Sequence, residues 1–213
     1  MLKLFYYPGN GNLAPHMLLE ELGVAYELCF VDRNAQAHKA ADYLKLNPNG
    51  LIPVLIDGDL VLYETAAICL HLVDSHPQAH LFPALGTAAR AHAYKWLIYL
   101  ANTLHAELIH YYYPERITTD AAGAAQVKAR TEARAGTMLD LIEAHFAAHG
   151  GEWLLGEHYS ACDPYLFMLC RWTRTMQRPA RALPQVGAFL TRMLARPAVQ
   201  RMFEKEGLSA PFV

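Results

Sequence analysis

The chain lacks any apolar run of the ~18 residues that a membrane-spanning helix requires, so no membrane partner is expected. It also lacks an excess of either charge. Lys and Arg number 18 and Asp and Glu 20, for a formal net charge of −2. Without a basic field, nucleic acid and anionic lipid are not expected as partners. Cysteine is scarce: Cys29, Cys69, Cys162 and Cys170 are the 4 present, none in a C-x-x-C pair and each in an apolar stretch. They read as buried, reduced thiols of a cytoplasmic protein rather than as a disulfide framework. The opening MLKLFYYPGNG reaches a Pro-Gly turn too soon for a signal peptide. Internal repeats are absent, and strand signals are missing beyond residue 77.

What is there is a foldable chain of 213 residues, 54% hydrophobic and 18% charged. That length buries about 70% of its unfolded surface and needs no disulfide or metal staple. The first eighty residues alternate strand and helix. LKLFYY and YELCFVD read as strands around a helix, APHMLLEELG, that Gly23 stops. LIPVLID and LVLY form a hairpin through Asp57-Gly58-Asp59, and ETAAICLHLVDSH is a further helix. The order βαβ, helix, ββα predicts a small α/β domain. We place it at residues 1–78, with a proline-containing linker at 79–86 and an all-α domain at 87–213. Within the latter, long helices are expected over 87–113 and 120–149, and shorter ones over 163–177, 184–195 and 197–206. SACD at residues 160–163 reads as a capping box at a helix start. His145 and His149 share a helix face, but no nearby carboxylate or thiol completes a metal set. No metal is expected.

Four stretches stand out: YYPGNGNLA from Tyr6, NPNGLIPVL from Asn47, LYETAAICLHL from Leu62, and HYSACDPYLF from His158, followed by Arg171-Trp172. In this order and spacing they resemble the cytosolic glutathione transferases, closest to the bacterial beta class. The resemblance spans nearly the whole chain. It implies an N-terminal thioredoxin-like domain followed by a C-terminal helical bundle, a homodimer, glutathione as co-substrate and no cofactor. It implies that Pro53, by itself an ordinary strand-initiating proline, is cis. Ile52 would then pair with the cysteinyl unit of glutathione like an added strand rung, with Leu51 beside it. Glu64 and Thr65 open a helix. Capping alone accounts for both; the resemblance adds the γ-glutamyl end of glutathione, its carboxylate on the helix N-terminus and its ammonium on Glu64.

The loop departs from the beta-class pattern. Where those enzymes read roughly Pro-Gly-Ala-Cys-Ser-Leu-Ala, this chain reads Pro8-Gly9-Asn10-Gly11-Asn12-Leu13-Ala14. Gly11 stands at the cysteine position and Asn12 at the serine position, so no mixed disulfide with glutathione forms in this loop. Asn12, Asn10 and Tyr6 remain as hydrogen-bond donors to the thiolate; Tyr7 points to the opposite sheet face. Turn chemistry accounts equally for the asparagines, and sheet packing for the tyrosine. By resemblance His105 faces glutathione, although the lysine that commonly follows is Ala106 here. Tyr111, Tyr112, Trp172 and Met176 are candidates for the pocket of a small hydrophobic electrophile, against core packing as the plain alternative. The function implied is conjugation of the glutathione thiolate to such an electrophile. The alternative is a glutathione-binding or scaffold protein with little turnover. A zeta-type isomerase ranks last, because its Ser-rich loop is absent.

Overall fold

The computed structural model describes all 213 residues. They form two compact units, residues 1–82 with 194–212, and residues 83–193 with Val213.

In the first unit, β1 (Leu2–Tyr6), α1 (Leu13–Leu22) and β2 (Tyr26–Phe30) make a βαβ element. It is followed by α2 (Ala41–Leu46), β3 (Val54–Asp57), β4 (Leu60–Tyr63) and α3 (Thr65–Ser75). The sheet order is β2-β1-β3-β4. β1 runs parallel to β2, in register from Leu2 opposite Tyr26 to Tyr6 opposite Phe30, and antiparallel to β3. β3 and β4 form the hairpin read from Asp-Gly, with Gly58 at φ 57° in the turn. Gly23, at φ 64°, ends α1 in the left-handed conformation that a missing Cβ permits. Alternation along β1 divides the core. Phe5 faces Tyr43, Val31 and Val54 on the α2 side. Leu2 and Leu4 face the other way, toward the layer where α1 meets α3; Met17 and Leu18 of α1 and Ile68 and Leu72 of α3 are buried.

The second unit holds α4 (Ala88–Tyr99), α5 (Ala106–Tyr112), α6 (Ala121–His149), α7 (Cys162–Trp172) and most of α8 (Pro184–Ala195). The helix expected over 87–113 is interrupted. Residues Leu100–His105 form a π-helical turn between α4 and α5, a widening often found at functional positions. The capping box forms as read: the buried Asp163 carboxylate accepts from Ser160 N (2.7 Å) and Leu154 N (2.8 Å), and Ser160 Oγ accepts from Cys162 N. The helix expected over 163–177 stops at Trp172 and tightens into a 3-10 turn, Thr173–Thr175.

Residues 194–212, assigned from sequence to the all-α domain, pack with the first compact unit. Their helix α9 (Pro197–Lys205) packs on α1. The reason is charge as well as shape. Arg196 pairs with Glu21 through two bonds of 2.6 and 2.9 Å, and Arg201 and Lys205 pair with the nearly buried Glu20.

Candidate functional site

Three segments of the first unit converge at Gly11. A Cβ built on Gly11 would lie 3.0 Å from Thr65 Oγ1, 3.3 Å from the Ile52 carbonyl oxygen and 3.3 Å from Pro53 Cδ. The Thr65 hydroxyl donates to the Gly11 carbonyl at 3.2 Å. Glycine is therefore the residue that lets these three segments approach one another this closely. The Ile52–Pro53 peptide is cis. The ladder with β1 ends at Val54 opposite Phe5, so Ile52 lies beyond the last paired rung. Asn47, buried, builds the turn before it: its Oδ1 accepts from Asn49 N and its Nδ2 donates to the Leu51 carbonyl at 2.9 Å, which also accepts from Tyr43 OH at 2.8 Å. The Leu51 carbonyl is thus held internally while its side chain is exposed.

Glu64 and Thr65 do not cap α3. Glu64 stands at the N-cap with no side-chain capping bond, and Thr65 spends its hydroxyl on Gly11. Glu64 is exposed and has φ 75° and ψ 113°, a conformation that a non-glycine side chain adopts only at a cost. The N-terminal turn of α3 offers its N–H groups to an anion, with a carboxylate one residue away for a cation.

The β1–α1 loop corrects one expectation. Asn12 is fully buried, and its amide faces inward. Its Nδ2 donates to Glu206 at 2.7 Å and its Oδ1 accepts from Tyr7 N at 3.2 Å. It pins the loop rather than meeting a ligand. Asn10 is half-exposed; Arg33 donates to its Oδ1 at 2.7 Å, which turns the amide nitrogen the other way, toward only a long contact with the Pro8 carbonyl. Tyr6 is half-buried, and burial together with the Glu206 charge raises its phenol pKa, so it stays protonated. Tyr7 stacks on Phe30 under the Arg33 guanidinium. Glu206 at the end of α9 was not singled out from the sequence, and no local pattern marks it. The Glu20 carboxyl beside this loop is opposed upward by burial, yet hydrogen bonds from Lys205, Tyr26 and Arg201 bring it down to about 2.

A second feature also escaped the sequence. Tyr7, Arg33, Asn34, Gln36 and His38 line a polar cleft of about 460 Å³. His38 is buried and its Nδ1 has no partner. Burial, with the nearby Arg33 and Lys39 charges, lowers its pKa, leaving a neutral ring. His38 adjoins the Asn47–Leu51 turn, since a Cβ on Gly50 would meet its carbonyl at 2.8 Å.

In the second unit, His105 closes the π turn. Its Nδ1 lies 2.8 Å from Tyr165 OH, and its ring meets Trp172 edge to face at 4.9 Å. Burial lowers its pKa to about 4, so the imidazole is neutral near pH 7. Tyr112 donates its hydroxyl to the Trp172 carbonyl and is 39% exposed. These residues form one cluster. Tyr111 meets Tyr112 edge to face at 5.2 Å, but it and Met176 are each 6% exposed, and Tyr111 lies under Lys128 of α6. Both are core residues. His145 Nε2 donates to the Leu154 carbonyl at 2.8 Å, and its ring lies tilted against Trp96 at 4.5 Å.

The comparisons with known proteins agree with this geometry. A model of the glutathione S-transferase N-terminal domain matches residues 1–74, and one of the C-terminal domain matches residues 102–206. Glutathione S-transferase GstA of Escherichia coli O157:H7 is 32% identical over 209 residues, covering 97% of this chain and 100% of the relative. A glutathione transferase homologue from Sulfitobacter, solved with bound glutathione, superposes with a TM-score of 0.90 at 29% identity, over 98% of this chain and 99% of that one. The bacterial beta-class glutathione S-transferase of Sphingomonas chungbukensis superposes at 0.84 with 29% identity, over 97% and 100%. An uncapped helix N-terminus beside a carboxylate and an unpaired strand rung before a cis proline are thus carried by a chain that belongs to the glutathione transferase family.

Proposed function

We propose that the first unit binds glutathione in an extended form and that the bound thiolate attacks a small hydrophobic electrophile. The carbon–sulfur bond forms as the electrophile's leaving group departs, and the thiol proton passes to solvent. The observation that carries this reading is the unpaired Ile52 rung before the cis proline, beside the exposed Glu64 at the uncapped N-terminus of α3. In this reading the γ-glutamyl carboxylate sits on the N-terminus of α3 and its ammonium on Glu64. Ile52 supplies the rung for the cysteinyl unit, with Leu51 and Pro53 flanking it. The glycyl carboxylate lies toward Arg33 and His38, the one cationic and the other a neutral ring with a spare nitrogen.

The sulfur lies beside the β1–α1 loop. It is stabilised by the first turn of α1, which no side chain caps, and by the outward amide of Asn10. Tyr6, held protonated, is the second donor. Asn12 acts through loop geometry alone. Within the second unit, His105, Tyr112 and Trp172 form the apolar cluster we assign to the electrophile, and the neutral imidazole there suits an uncharged substrate. We further read the chain as a homodimer: Leu60 and Val61 on the edge strand β4 and Ile98 on α4 are exposed, the last at 62%, and apolar surface of this kind suits burial by a second copy.

Calorimetric titration with glutathione, followed by turnover of aryl halides and other electrophiles, tests the reading. Tight binding with turnover supports it. Binding without turnover of any electrophile would replace it with the scaffold alternative. Asn10→Ala and Tyr6→Phe then identify the donor, and unchanged rates in both would reject the two assignments.

A further inference from the structure

The cleft lined by Tyr7, Arg33, Asn34, Gln36 and His38 is larger than a glycyl carboxylate requires. At about 460 Å³ it is in the range of small-molecule pockets, whereas a carboxylate occupies little more than one or two water molecules of about 30 Å³ each. The cleft lies within the first unit, and hydrogen bonds hold its walls. Asp32 Oδ1 accepts from Asn34 N at 2.9 Å and from Ala35 N at 3.2 Å, and Gln36 Nε2 donates to the Arg33 carbonyl at 3.2 Å. Gln36, at φ 56°, turns the chain into the 3-10 turn Ala37–Lys39 that carries His38. Lys39 Nζ donates to the Asn49 carbonyl at 3.0 Å, which ties that turn to the segment leading to Ile52.

The lining has the chemistry to receive one amino-acid residue. His38 is 9% exposed, and its Nδ1 has no partner. A buried polar atom left unpaired is costly, and a ligand group that pairs with it recovers the loss. Burial, with the Arg33 and Lys39 charges, keeps the ring neutral. A nitrogen of a neutral imidazole either donates or accepts; an amide can meet it in both cases, whereas a carboxylate only accepts. Asn34 and Gln36 add two neutral side-chain amides at the exposed rim. Arg33 supplies a guanidinium for a terminal carboxylate, and Tyr7, stacked on Phe30, supplies an aromatic wall.

We propose that the thiol co-substrate extends beyond glycine: a γ-glutamyl-cysteinyl-glycyl peptide carrying one further residue, its added amide at His38 and its terminal carboxylate at Arg33. This rests on the glutathione site proposed above and names a longer ligand for it. The thiolate chemistry is unchanged, because the extension lies on the far side of the glycine from the sulfur. Glutathione itself fills the site only in part. An extension ending in an ammonium group is disfavoured, because Arg33 and Lys39 repel it.

The test is calorimetric titration with three thiols: glutathione, the tetrapeptide γ-glutamyl-cysteinyl-glycyl-glycine, and the aminoethylamide of glutathione. The tetrapeptide is expected to bind about tenfold more tightly than glutathione, and the aminoethylamide no more tightly than glutathione. A tetrapeptide that binds no more tightly than glutathione overturns the proposal. An aminoethylamide that equals the tetrapeptide overturns the assignment of the terminal carboxylate to Arg33. Asn34→Trp places a large ring on the exposed wall of the cleft. It is expected to abolish the preference for the tetrapeptide while the glutathione Kd changes less than about threefold. His38→Phe keeps the shape of the ring without its nitrogens and is expected to bring the two affinities together. A preference that survives both variants overturns the proposal. Failure of the parent protein to bind any of the three thiols would instead refute the function proposed above, which separates the two.

Discussion

At Glu64, stability and binding pull in opposite directions. Its φ of 75° and ψ of 113° cost an L side chain about 1–3 kcal/mol, whereas glycine adopts such angles freely. The side chain makes no capping bond, so its removal orphans no donor. Glu64→Gly should therefore stabilise the free protein. From the strain relieved, about 0.4–1 kcal/mol is subtracted for the freedom that glycine adds to the unfolded chain, leaving a net gain of roughly 1 kcal/mol. For a chain of this size that is a rise of about 2–4 °C in Tm. Glu64→Ala loses the same carboxylate but keeps a Cβ, so it should show no comparable gain. Both variants lose a charged hydrogen bond to the ligand ammonium, about 1.5–3 kcal/mol, or ~10–150-fold in Kd. Urea denaturation without glutathione measures the first effect and calorimetric titration the second. If Glu64→Gly is no more stable than Glu64→Ala, the backbone is not strained there. If both bind glutathione as tightly as the parent, Glu64 does not hold the ammonium.

Asp163→Ala leaves buried Leu154 N and the Ser160 N–H and hydroxyl without their acceptor; we expect a loss of about 3–5 kcal/mol and a Tm lower by roughly 10 °C, read by calorimetry. His105 has a folded pKa near 4, below its unfolded value of 6.5. The unfolded chain therefore takes the proton first, and stability is full above about pH 6.5 and falls as pH drops toward 4, by at most about 3 kcal/mol. His105→Phe should flatten that part of the stability profile, and a parallel profile would count against a buried neutral imidazole. Of the four cysteines only Cys29 is not fully buried, and burial pushes the thiols of Cys162 and Cys170 up. Titration of the native protein with a thiol reagent should detect one reactive group, whereas fast reaction of a second would mean that the core opens readily.

The strands, the hairpin and most helices were legible because their signals are local. Alternation in LKLFYY, the Asp-Gly turn, the stop at Gly23 and the 160–163 capping box each act within a few residues. The π turn at Leu100–His105 was not legible, since LANTLH has an unbroken helical pattern and the wider turn does not depend on a breaker residue. The Ile52–Pro53 turn and the helix start at Glu64 and Thr65 were readable because each lies within a short contiguous motif. The role of Asn12 was misread for the opposite reason. In sequence it is an exposed-looking turn residue beside a glycine, and only its partner Glu206, 194 positions away, turns it inward.

The sequence by itself determined the two secondary-structure regimes and the sheet with its hairpin, because periodicity and turn chemistry are written in neighbouring positions. Only the tertiary structure decided that residues 194–212 return to the first unit, that Asn12 is a pin and that Glu206 stands behind the loop. Those outcomes depend on buried charges that must find partners on folding, and that requirement leaves no trace in the spacing of the residues that meet it.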